Sequence, residues 1–198
     1  MSITETIVET KRRMRADALV IRRAAARASQ DIGEAVAANF LSGFRDLLAN
    51  GQQVVSGYWP MRDEIDVVPL LNRLSQQGIS CALPIVMGKG LPLVFRLWRP
   101  GDPLAAGPFG TSEPLADAPE MVPTLVMAAL LAFDQSGGRL GYGGGFYDRS
   151  LAGLRRSGAV QAVGVAFDTQ EVDEAPKAEY DQRLDWVVTE SRIIQCAG

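Results

Sequence analysis

A glycine-rich segment, residues 139–148, has the residue types of an anion-binding turn. It reads Arg-Leu-Gly-Tyr-Gly-Gly-Gly-Phe-Tyr-Asp and lies between the most apolar stretch of the chain and a predicted helix. Glycine readily adopts positive φ, so neighbouring backbone amides can turn toward one point. Such amides form an anion-binding nest, to which the N-terminus of the helix adds its dipole. The segment therefore predicts a site for a polyphosphate, such as a nucleoside triphosphate.

This segment departs from two common phosphate-binding patterns. No Gly-Lys-Ser/Thr follows it, which excludes a P-loop, and Phe146 stands where G-x-G-x-x-G requires its last glycine. The glycines alone are as compatible with a flexible connection between a strand and a helix. The flanking arginine, tyrosines and aspartate favour the phosphate site, because a simple connection needs none of them together.

The position of Asp148 has two interpretations. It lies one turn into the predicted helix, where a carboxylate would oppose a phosphate unless a cation lay between them. Mg²⁺ is commonly bound by one or two carboxylates together with phosphate oxygens. An aspartate in the first turn also stabilises a helix through the helix dipole. The local sequence leaves both interpretations open.

The chain contains no histidine. Ser-His-Asp triads, Cys-His pairs, His-ligated zinc and histidine bases are therefore excluded within this chain. Catalysis must use carboxylates, lysine, arginine, tyrosine, backbone amides or a bound metal ion.

Composition indicates an ordinary globular protein, with 47% hydrophobic and 22% charged residues among 198. The net charge of −3 provides no field that would recruit nucleic acid or an anionic membrane. No apolar run approaches the ~20 residues that span a bilayer. Cys81 and Cys196 lack metal-ligand spacing, and we interpret both as reduced thiols. We expect a cytoplasmic single domain over residues 1–198, monomeric or a weak homodimer, that binds small molecules.

Strands and helices alternate along the chain. Helices are predicted over residues 4–27, 29–49 with Ser29 as the N-cap, 67–76 with Asp66 as the cap, and 145–156. Strands are predicted over residues 54–59, 79–83, 92–98, 124–133, 159–166 and 186–188. Residues 100–123 are predicted to be a long loop, which is usually functional or wraps a neighbour. The alternation predicts an α/β fold with a mostly parallel sheet covered on both faces.

Five motifs follow one another along the chain. They are Lys11-Arg-Arg-Met-Arg15, Tyr58-Trp-Pro-Met-Arg-Asp-Glu64, Phe109-Gly-Thr-Ser-Glu113-Pro, the glycine-rich segment, and a C-terminal block with Val163-Gly-Val-Ala-Phe167, Asp181 and Thr189-Glu190. In this order they resemble the motifs of the 5-formyltetrahydrofolate cyclo-ligase family, also called methenyltetrahydrofolate synthetases. The match covers residues 11–190. Ala129, Phe146 and Tyr180 depart from the residues usual in the family.

The resemblance implies a fold and a reaction. The fold would be a three-layer α/β/α sandwich, similar to the sugar-isomerase and CoA-transferase group, with the N-terminal helices packed on it. The reaction would convert 5-formyltetrahydrofolate to 5,10-methenyltetrahydrofolate, with Mg²⁺ as cofactor and ATP as co-substrate. Phosphorylation of the formyl oxygen would precede ring closure by N10, which requires no nucleophilic side chain.

The resemblance also implies a nucleotide site. Lys11 and Arg15 lie one helical turn apart and would contact the phosphates together. The sequence by itself would favour a solvated basic helix face, since Arg12, Arg13, Arg22, Arg23 and Arg27 are neighbours. The catalytic residues would be Arg15, Arg139 and Tyr147. The residues binding ATP would be Lys11, Arg15, Arg139, Gly141, Tyr142, Gly143, Gly144, Gly145, Phe146 and Tyr147.

A folate site and a metal site are implied as well. Glu64 would accept hydrogen bonds from the pterin ring, and Tyr58 and Trp59 would line the pterin pocket, although a strand end also packs its aromatics. Asp148 and Asp181 would bind Mg²⁺, although local sequence alone makes Asp181 an exposed acid. The residues binding the folate would be Tyr58, Trp59, Glu64, Tyr142, Gly143, Gly144, Gly145 and Phe146.

Further expectations concern packing and alternatives. At least one of the three aromatic rings in the glycine-rich segment should pack in the core. Glu113 has no predicted chemical role. The competing functions are a different nucleotide-dependent enzyme on this fold, or a non-catalytic folate- or nucleotide-binding domain derived from the family. Binding to RNA is disfavoured, because no basic and aromatic surface pattern occurs.

Overall fold

The computed structural model describes residues 3–28 and 31–197. The helices in these ranges are α1 (Ile3–Ala28), α2 (Ile32–Gly43), α3 (Arg45–Leu48), α4 (Val68–Gln76) and α5 (Phe146–Ser157), with 3₁₀ turns at Pro108–Gly110 and Asp168–Gln170. The strands are β1 (Val54–Ser56), β2 (Ser80–Val86), β3 (Leu93–Trp98), β4 (Leu104–Ala106), β5 (Ser112–Pro114), β6 (Glu120–Met121), β7 (Leu125–Ala129), β8 (Ala132–Phe133), β9 (Arg139–Leu140), β10 (Gln161–Val165), β11 (Trp186–Val188) and β12 (Ile193–Gln195).

The central sheet has the strand order β12-β11-β10-β7-β1-β2-β3-β6 in the described ranges. The pairs among β11, β10, β7, β1 and β2 are parallel. The outer pairs, which involve β12, β3 and β6, are antiparallel. Parallel neighbours require crossovers, and α4 and α5 lie on two of these connections. The prediction of a mostly parallel sheet is confirmed.

Helices cover both faces of the sheet. Leu71 of α4 belongs to the same buried cluster as Leu125 and Met127 of β7 and as buried side chains of α2. Val126 lies between those two strand residues and belongs to a second cluster with Leu151 of α5. Successive side chains of a strand point to opposite faces, so β7 is buried on both sides. This confirms the three-layer α/β/α arrangement and explains the continuous apolar run at this strand.

The long first helix packs beside the sheet. Ala18 of α1 contacts a small cluster formed by Leu131, Ala132 and Leu140 on the β8–β9 hairpin. This contact places the middle of α1 next to the chain that follows β9. The predicted helix over residues 4–27 is confirmed.

The second predicted helix is divided at Phe44 into α2 and α3. Its predicted N-cap, Ser29, lies outside the described residues. Asp31 precedes α2 with a left-handed backbone, φ 61°. The predicted cap of α4 is wrong, because the N-cap is Val67, which makes no side-chain cap hydrogen bond. Asp66 lies one residue earlier, and its Oδ1 accepts a hydrogen bond from the Val68 N–H at 2.9 Å.

Several predictions about element boundaries are wrong. The strand predicted over residues 124–133 is divided into β7 in the central sheet and β8 in a separate hairpin, and the strand predicted over residues 54–59 ends at Ser56. The predicted loop over residues 100–123 contains short strands: β4 and β5 form an antiparallel hairpin, and β6 pairs with β3 at the sheet edge. The strand predicted to end before Pro84 continues to Val86 as β2. β1 pairs with β2 only as far as Ala82, so one side of β2 has no ladder there for a proline to interrupt. No described helix is long and apolar enough to cross a membrane.

Candidate active site

The glycine-rich turn, residues 141–145, connects β9 to α5. The β8–β9 hairpin before it is closed by the buried carboxylate of Asp134. Oδ1 of Asp134 accepts hydrogen bonds from the N–H groups of Ser136 at 2.8 Å and Gly138 at 3.0 Å. Oδ2 accepts one from the Ala175 N–H at 2.8 Å. Asp134 therefore holds the hairpin, and with it the start of the turn, against a later part of the chain.

The backbone N–H groups of the glycine-rich turn donate to no acceptor within the described residues. Gly143 (φ 97°) and Gly145 (φ 66°) have left-handed backbones. The prediction of positive φ is confirmed at these two glycines and is wrong at Gly141 and Gly144. Backbone amides require an acceptor, and an anion bound at this turn would supply one.

Arg139 and Asp148 form an ion pair at the start of α5. Both terminal nitrogens of Arg139 donate to Oδ1 of Asp148, at 2.8 and 3.2 Å. The Gln182 N–H donates to the same oxygen at 3.0 Å. The chain on both sides of the glycine-rich turn is thereby held together by a charged contact.

α1 brings two cations to the turn. Nζ of Lys11 forms an ion pair with Oδ2 of Asp181. Nε of Arg15 donates to the carbonyl oxygen of Gly141 at 2.9 Å. A Cβ atom on Gly143 would lie 3.2 Å from the guanidinium carbon of Arg15, so this side chain lies close over the turn. Lys11 and Arg15 share one helix face as predicted, and the alternative of a fully solvated basic face is wrong.

The three aromatic rings of the segment differ in exposure. Tyr142 is 43% exposed. Phe146 and Tyr147 pack against the buried cluster beneath α5, which confirms the expected core packing. Burial raises the pKa of the Tyr147 hydroxyl above its usual range, and the nearby charge of Glu64 adds to this. The Tyr147 hydroxyl is therefore a hydrogen-bond donor at neutral pH.

The segment after β1 supplies the opposite wall. Tyr58 is buried, and its hydroxyl donates to the carbonyl oxygen of Ile65 at 3.0 Å. Trp59 packs edge-to-face against Trp98, with ring centroids 6.0 Å apart. Both aromatics thus pack like an ordinary strand end and also line the space in front of the turn.

A cavity of about 690 Å³ joins these groups. Its volume is typical of small-molecule sites, and it lies at the carboxyl ends of β1 and β7, where open α/β sheets bind ligands. It brings together every residue predicted for ATP, folate and metal. These are Lys11, Arg15, Tyr58, Trp59, Glu64, Arg139, Gly141, Tyr142, Gly143, Gly144, Gly145, Phe146, Tyr147, Asp148 and Asp181.

Comparison with known proteins agrees with this geometry. The model of the 5-formyltetrahydrofolate cyclo-ligase family matches residues 7–190. The chain belongs to this family. A 5-formyltetrahydrofolate cyclo-ligase of Mycolicibacterium smegmatis is 33% identical over 196 residues, which cover 93% of this chain and 96% of the relative. One of Escherichia coli is 35% identical over 135 residues, covering 66% of this chain and 74% of the relative.

Solved structures of synthetases have the same fold. The NMR structure of the 5,10-methenyltetrahydrofolate synthetase of Aquifex aeolicus superposes with a TM-score of 0.72 at 25% identity, covering 95% of this chain and 93% of that one. The family predicted from the five motifs, and the prediction of an enzyme, are confirmed.

A buried residue behind this cyclo-ligase-family site was missed, as were Arg62, Lys89 and Phe109 of the cavity lining. The sequence placed Arg22 among the arginines of a solvated helix face, but Arg22 is only 2% exposed. Nη2 of Arg22 donates to the hydroxyl of Tyr142, and Nη1 lies 3.8 Å from Oε1 of Glu64. Lys11, Arg15 and Arg22 are spaced along α1 so that they lie on one helix face. This spacing is the sequence feature that could have placed Arg22 beside the site.

Glu64 lies deep in the cavity wall. Its Oε2 accepts a hydrogen bond from the Met61 N–H at 2.9 Å. Burial raises the pKa of the Glu64 carboxyl. The Met61 N–H, the charge of Arg22 and a hydrogen bond from Tyr142 lower the pKa without cancelling that rise. The charge of the Glu64 carboxyl therefore depends on these neighbouring groups.

Glu113, which had no predicted role, has a structural one. Its buried Oε1 accepts hydrogen bonds from the Val86 N–H at 3.2 Å and the Thr111 hydroxyl at 2.7 Å. These contacts tie the β4–β5 hairpin to the end of β2. The hairpin tip then carries Phe109 to the cavity rim, 69% exposed and with its ring centroid 6.0 Å from that of Phe146.

The two predicted metal ligands line the same cavity. Their side chains are 18% exposed for Asp148 and 16% for Asp181, and each is paired with a cation, Arg139 or Lys11. The described residues contain no group of three acidic or cysteine side chains that could bind a metal ion. Carboxylate oxygens suit Mg²⁺, which usually completes its shell with phosphate and water oxygens. The donor set therefore fits an ion that arrives with a triphosphate better than one held by protein alone.

Proposed function

We propose that this chain converts 5-formyltetrahydrofolate to 5,10-methenyltetrahydrofolate, with ATP yielding ADP and phosphate under Mg²⁺. The observation that carries the proposal is the shared cavity. In a member of the cyclo-ligase family, one cavity of ligand size is lined by the unpaired amides of the glycine-rich turn and by the buried acid Glu64.

The chemistry requires two substrates side by side. The oxygen of an N-formyl group is a poor leaving group. Transfer of the γ-phosphoryl group to this oxygen converts it into a good one, after which N10 attacks the formyl carbon. Loss of inorganic phosphate then leaves the methenyl bridge between N5 and N10. The protein must hold the γ-phosphate in line with the formyl oxygen and stabilise the developing charge.

The turn and α1 would hold the triphosphate. Unpaired amides at residues 141–145 are donors for phosphate oxygens, and the start of α5 adds its dipole. Lys11 and Arg15 supply positive charge from the facing helix, with Arg15 closest to the turn. Arg139 and the protonated Tyr147 complete the proposed catalytic set beside the transferred group.

The wall after β1 would hold the folate. A carboxylate at Glu64 accepts hydrogen bonds from the N–H groups of a pterin ring. The rings of Tyr58 and Trp59 offer apolar surface to the flat pterin, while the exposed ring of Tyr142 reaches both substrates. Gly143, Gly144, Gly145 and Phe146 would contact the formyl end.

Asp148 and Asp181 would hold Mg²⁺ together with phosphate oxygens. The bound ion would neutralise charge on the transferring phosphoryl group. Both acids are positioned in advance, Asp148 by Arg139 and by the Gln182 N–H, and Asp181 by Lys11.

The setting of this activity is part of the proposal. We take a monomer as the simplest active form, with a weak homodimer as the alternative. The central sheet includes both β1 and β12, the first and last strands of the described chain, which supports a single domain. Cys81 and Cys196 are free thiols, which fits the reducing cytoplasm.

The test is a coupled assay with purified protein, Mg²⁺, ATP and 5-formyltetrahydrofolate. The near-ultraviolet absorbance of the methenyl product and the release of ADP should rise together, one for one, and neither should rise when one substrate is omitted. ATP turnover without methenyl product would instead identify a different nucleotide-dependent enzyme. Folate binding without ATP turnover would identify a non-catalytic domain.

A further inference from the structure

Arg22 lies behind the cavity wall and contacts residues on both sides of it. We propose that Arg22 is a positioning residue, which keeps the Glu64 carboxylate charged and holds the Tyr142 ring of the glycine-rich turn in place. The inference rests on the proposed function, in which Glu64 contacts the folate and Tyr142 contacts both substrates. One buried cation on α1 would then organise the folate wall and the phosphate turn together.

The contacts of Arg22 carry this inference. Its Nη2 donates to the Tyr142 hydroxyl, and its guanidinium carbon lies 5.2 Å from the centre of the Tyr142 ring. Its Nη1 lies 3.8 Å from Oε1 of Glu64, with side-chain exposures of 2% and 5% for the two partners. Nη1 also lies 3.5 Å from the carbonyl oxygen of Leu130 at the end of β7. Arg22 does not line the cavity itself, so it must act through the residues that do.

The burial of Arg22 would by itself add little to the stability of the fold. Its Nε has no hydrogen-bond partner in the described part of the chain. A buried ion pair recovers its desolvation cost only with good geometry, and an apolar residue of similar volume often stabilises a fold as well. An incompletely satisfied buried arginine beside two cavity-lining groups is therefore better explained by what it does to those groups.

The electrostatic surroundings of Glu64 agree with this role. Two cations lower the pKa of the Glu64 carboxyl against the effect of burial. They are Arg22 of α1 and Arg62 of the loop that contains Glu64. The other titratable groups facing it are the hydroxyls of Tyr58, Tyr142 and Tyr147. Tyr58 and Tyr147 have pKa values above their usual range and stay neutral near pH 7. Removing Arg22 therefore leaves Glu64 with one nearby cation, and its pKa rises further.

The test measures Glu64 itself, without any substrate. Glutamate is labelled with ¹³C at the carboxyl carbon, and the Glu64 signal is assigned by its loss in Glu64→Gln. In Arg22→Met the titration midpoint of Glu64 should rise by about one pH unit or more, because a close cation lowers a carboxyl pKa by about that amount. Arg22→Lys keeps the charge and should shift the midpoint less. Arg27→Met, an exposed arginine on the same helix, should not move it. An unchanged midpoint in Arg22→Met overturns the proposal.

Binding of 5-formyltetrahydrofolate is then measured from pH 5.5 to 8.5. Affinity should fall as pH falls through the Glu64 midpoint, and in Arg22→Met this fall should begin at higher pH by the same shift. If the Glu64 midpoint rises in Arg22→Met but the wild type does not bind the folate, the proposed function is refuted and the link between Arg22 and Glu64 stands. Normal turnover by the wild type, with the same pH profile in Arg22→Met, refutes the positioning role.

A folding control separates positioning from simple damage. If Arg22→Met unfolds, the double variant Arg22→Met/Glu64→Gln should recover much of the lost melting temperature, because it removes the uncompensated buried carboxylate as well. A double variant as unstable as the single one would mean that Arg22 acts through packing alone, which contradicts the proposal.

Discussion

Oδ1 of Asp148 accepts a hydrogen bond from Nη2 of Arg139 at 2.8 Å, and this contact spans the glycine-rich turn. The two residues lie at opposite ends of the segment, on β9 and in the first turn of α5. Their ion pair closes a loop of backbone whose amides have no partner in the described chain. The acid proposed to bind Mg²⁺ is thus also the anchor that shapes the proposed phosphate site.

Replacement of Asp148 by asparagine should impair catalysis more than folding. The asparagine Oδ1 can still accept from Arg139 and from the Gln182 N–H, so the melting temperature should change little. The loss of a negative ligand should lower ATP turnover about tenfold or more at limiting Mg²⁺, which corresponds to ~1.4 kcal/mol. Asp117→Asn, an exposed acid outside the cavity, is the matched control. Equal rates for Asp148→Asn and wild type at limiting Mg²⁺ would rule out the metal role.

Replacement of Glu64 by glutamine should separate the two substrates. Glutamine keeps the acceptor for the Met61 N–H but presents an amide group to the pterin, so the Kd for 5-formyltetrahydrofolate should rise about tenfold. The Kd for ATP should stay within about twofold, both measured by calorimetry. Asp63→Asn is the control, because Asp63 is adjacent in sequence and does not line the cavity. Equal weakening of both ligands would count against a pterin contact.

Addition of one methyl group at Gly143 should disturb the turn. An alanine there would have to hold φ near 97° and would bring its Cβ to 3.2 Å from the Arg15 guanidinium. We expect a loss of about 1 kcal/mol or more in the free energy of unfolding and a weaker affinity for an ATP analogue. Gly158→Ala is the control, since its φ of 173° is extended and its Cβ would meet open space. Wild-type nucleotide affinity in Gly143→Ala would contradict a tightly shaped nest.

Acid should destabilise the fold partly through Asp134. Burial alone would raise the pKa of this carboxyl, but hydrogen bonds from Ser136, Ala175 and Gly138 and the charge of Lys177 hold it below its usual value. A depressed folded pKa means that the charged form contributes stability above the unfolded pKa near 3.9, and that this contribution is lost as pH falls further.

Urea unfolding at pH 7 and at pH 3.5 measures the effect. The wild type should lose stability between these values, whereas Asp134→Asn should start lower at pH 7 by about 1–3 kcal/mol and lose less on acidification. Parallel losses in the two proteins would show that Asp134 does not contribute to the acid response.

Local patterns were sufficient for much of this molecule. The two-sided burial of β7 follows from its unbroken apolar run, and the turn in which Asp66 accepts from the Val68 N–H before α4 is also a local feature. The glycine-rich turn was likewise predictable as a place for positive φ, but the pattern did not show that, among its glycines, Gly143 and Gly145 adopt it and Gly141 and Gly144 do not. The family motifs gathered residues that are distant in sequence, such as Lys11 and Asp181, and the cavity brings those residues together.

Other features depend on contacts that no local pattern contains. Arg22 resembles its solvated neighbours in sequence, and it is buried because α1 brings it against Glu64, Leu130 and Tyr142. Pro84 could remain in β2 only because β1 is too short to pair beside it. The hairpin within residues 100–123 depends on Glu113, whose partner on Val86 lies 27 residues earlier in the chain.

The amides of residues 141–145 provide the most direct test. In ¹H–¹⁵N spectra recorded while a non-hydrolysable ATP analogue and Mg²⁺ are added, the amide resonances of this turn should shift most and should saturate with the binding isotherm. The same amides should exchange more slowly with solvent once the nucleotide is bound. Nucleotide binding that saturates while these five resonances stay in place would contradict a triphosphate held by the glycine-rich turn.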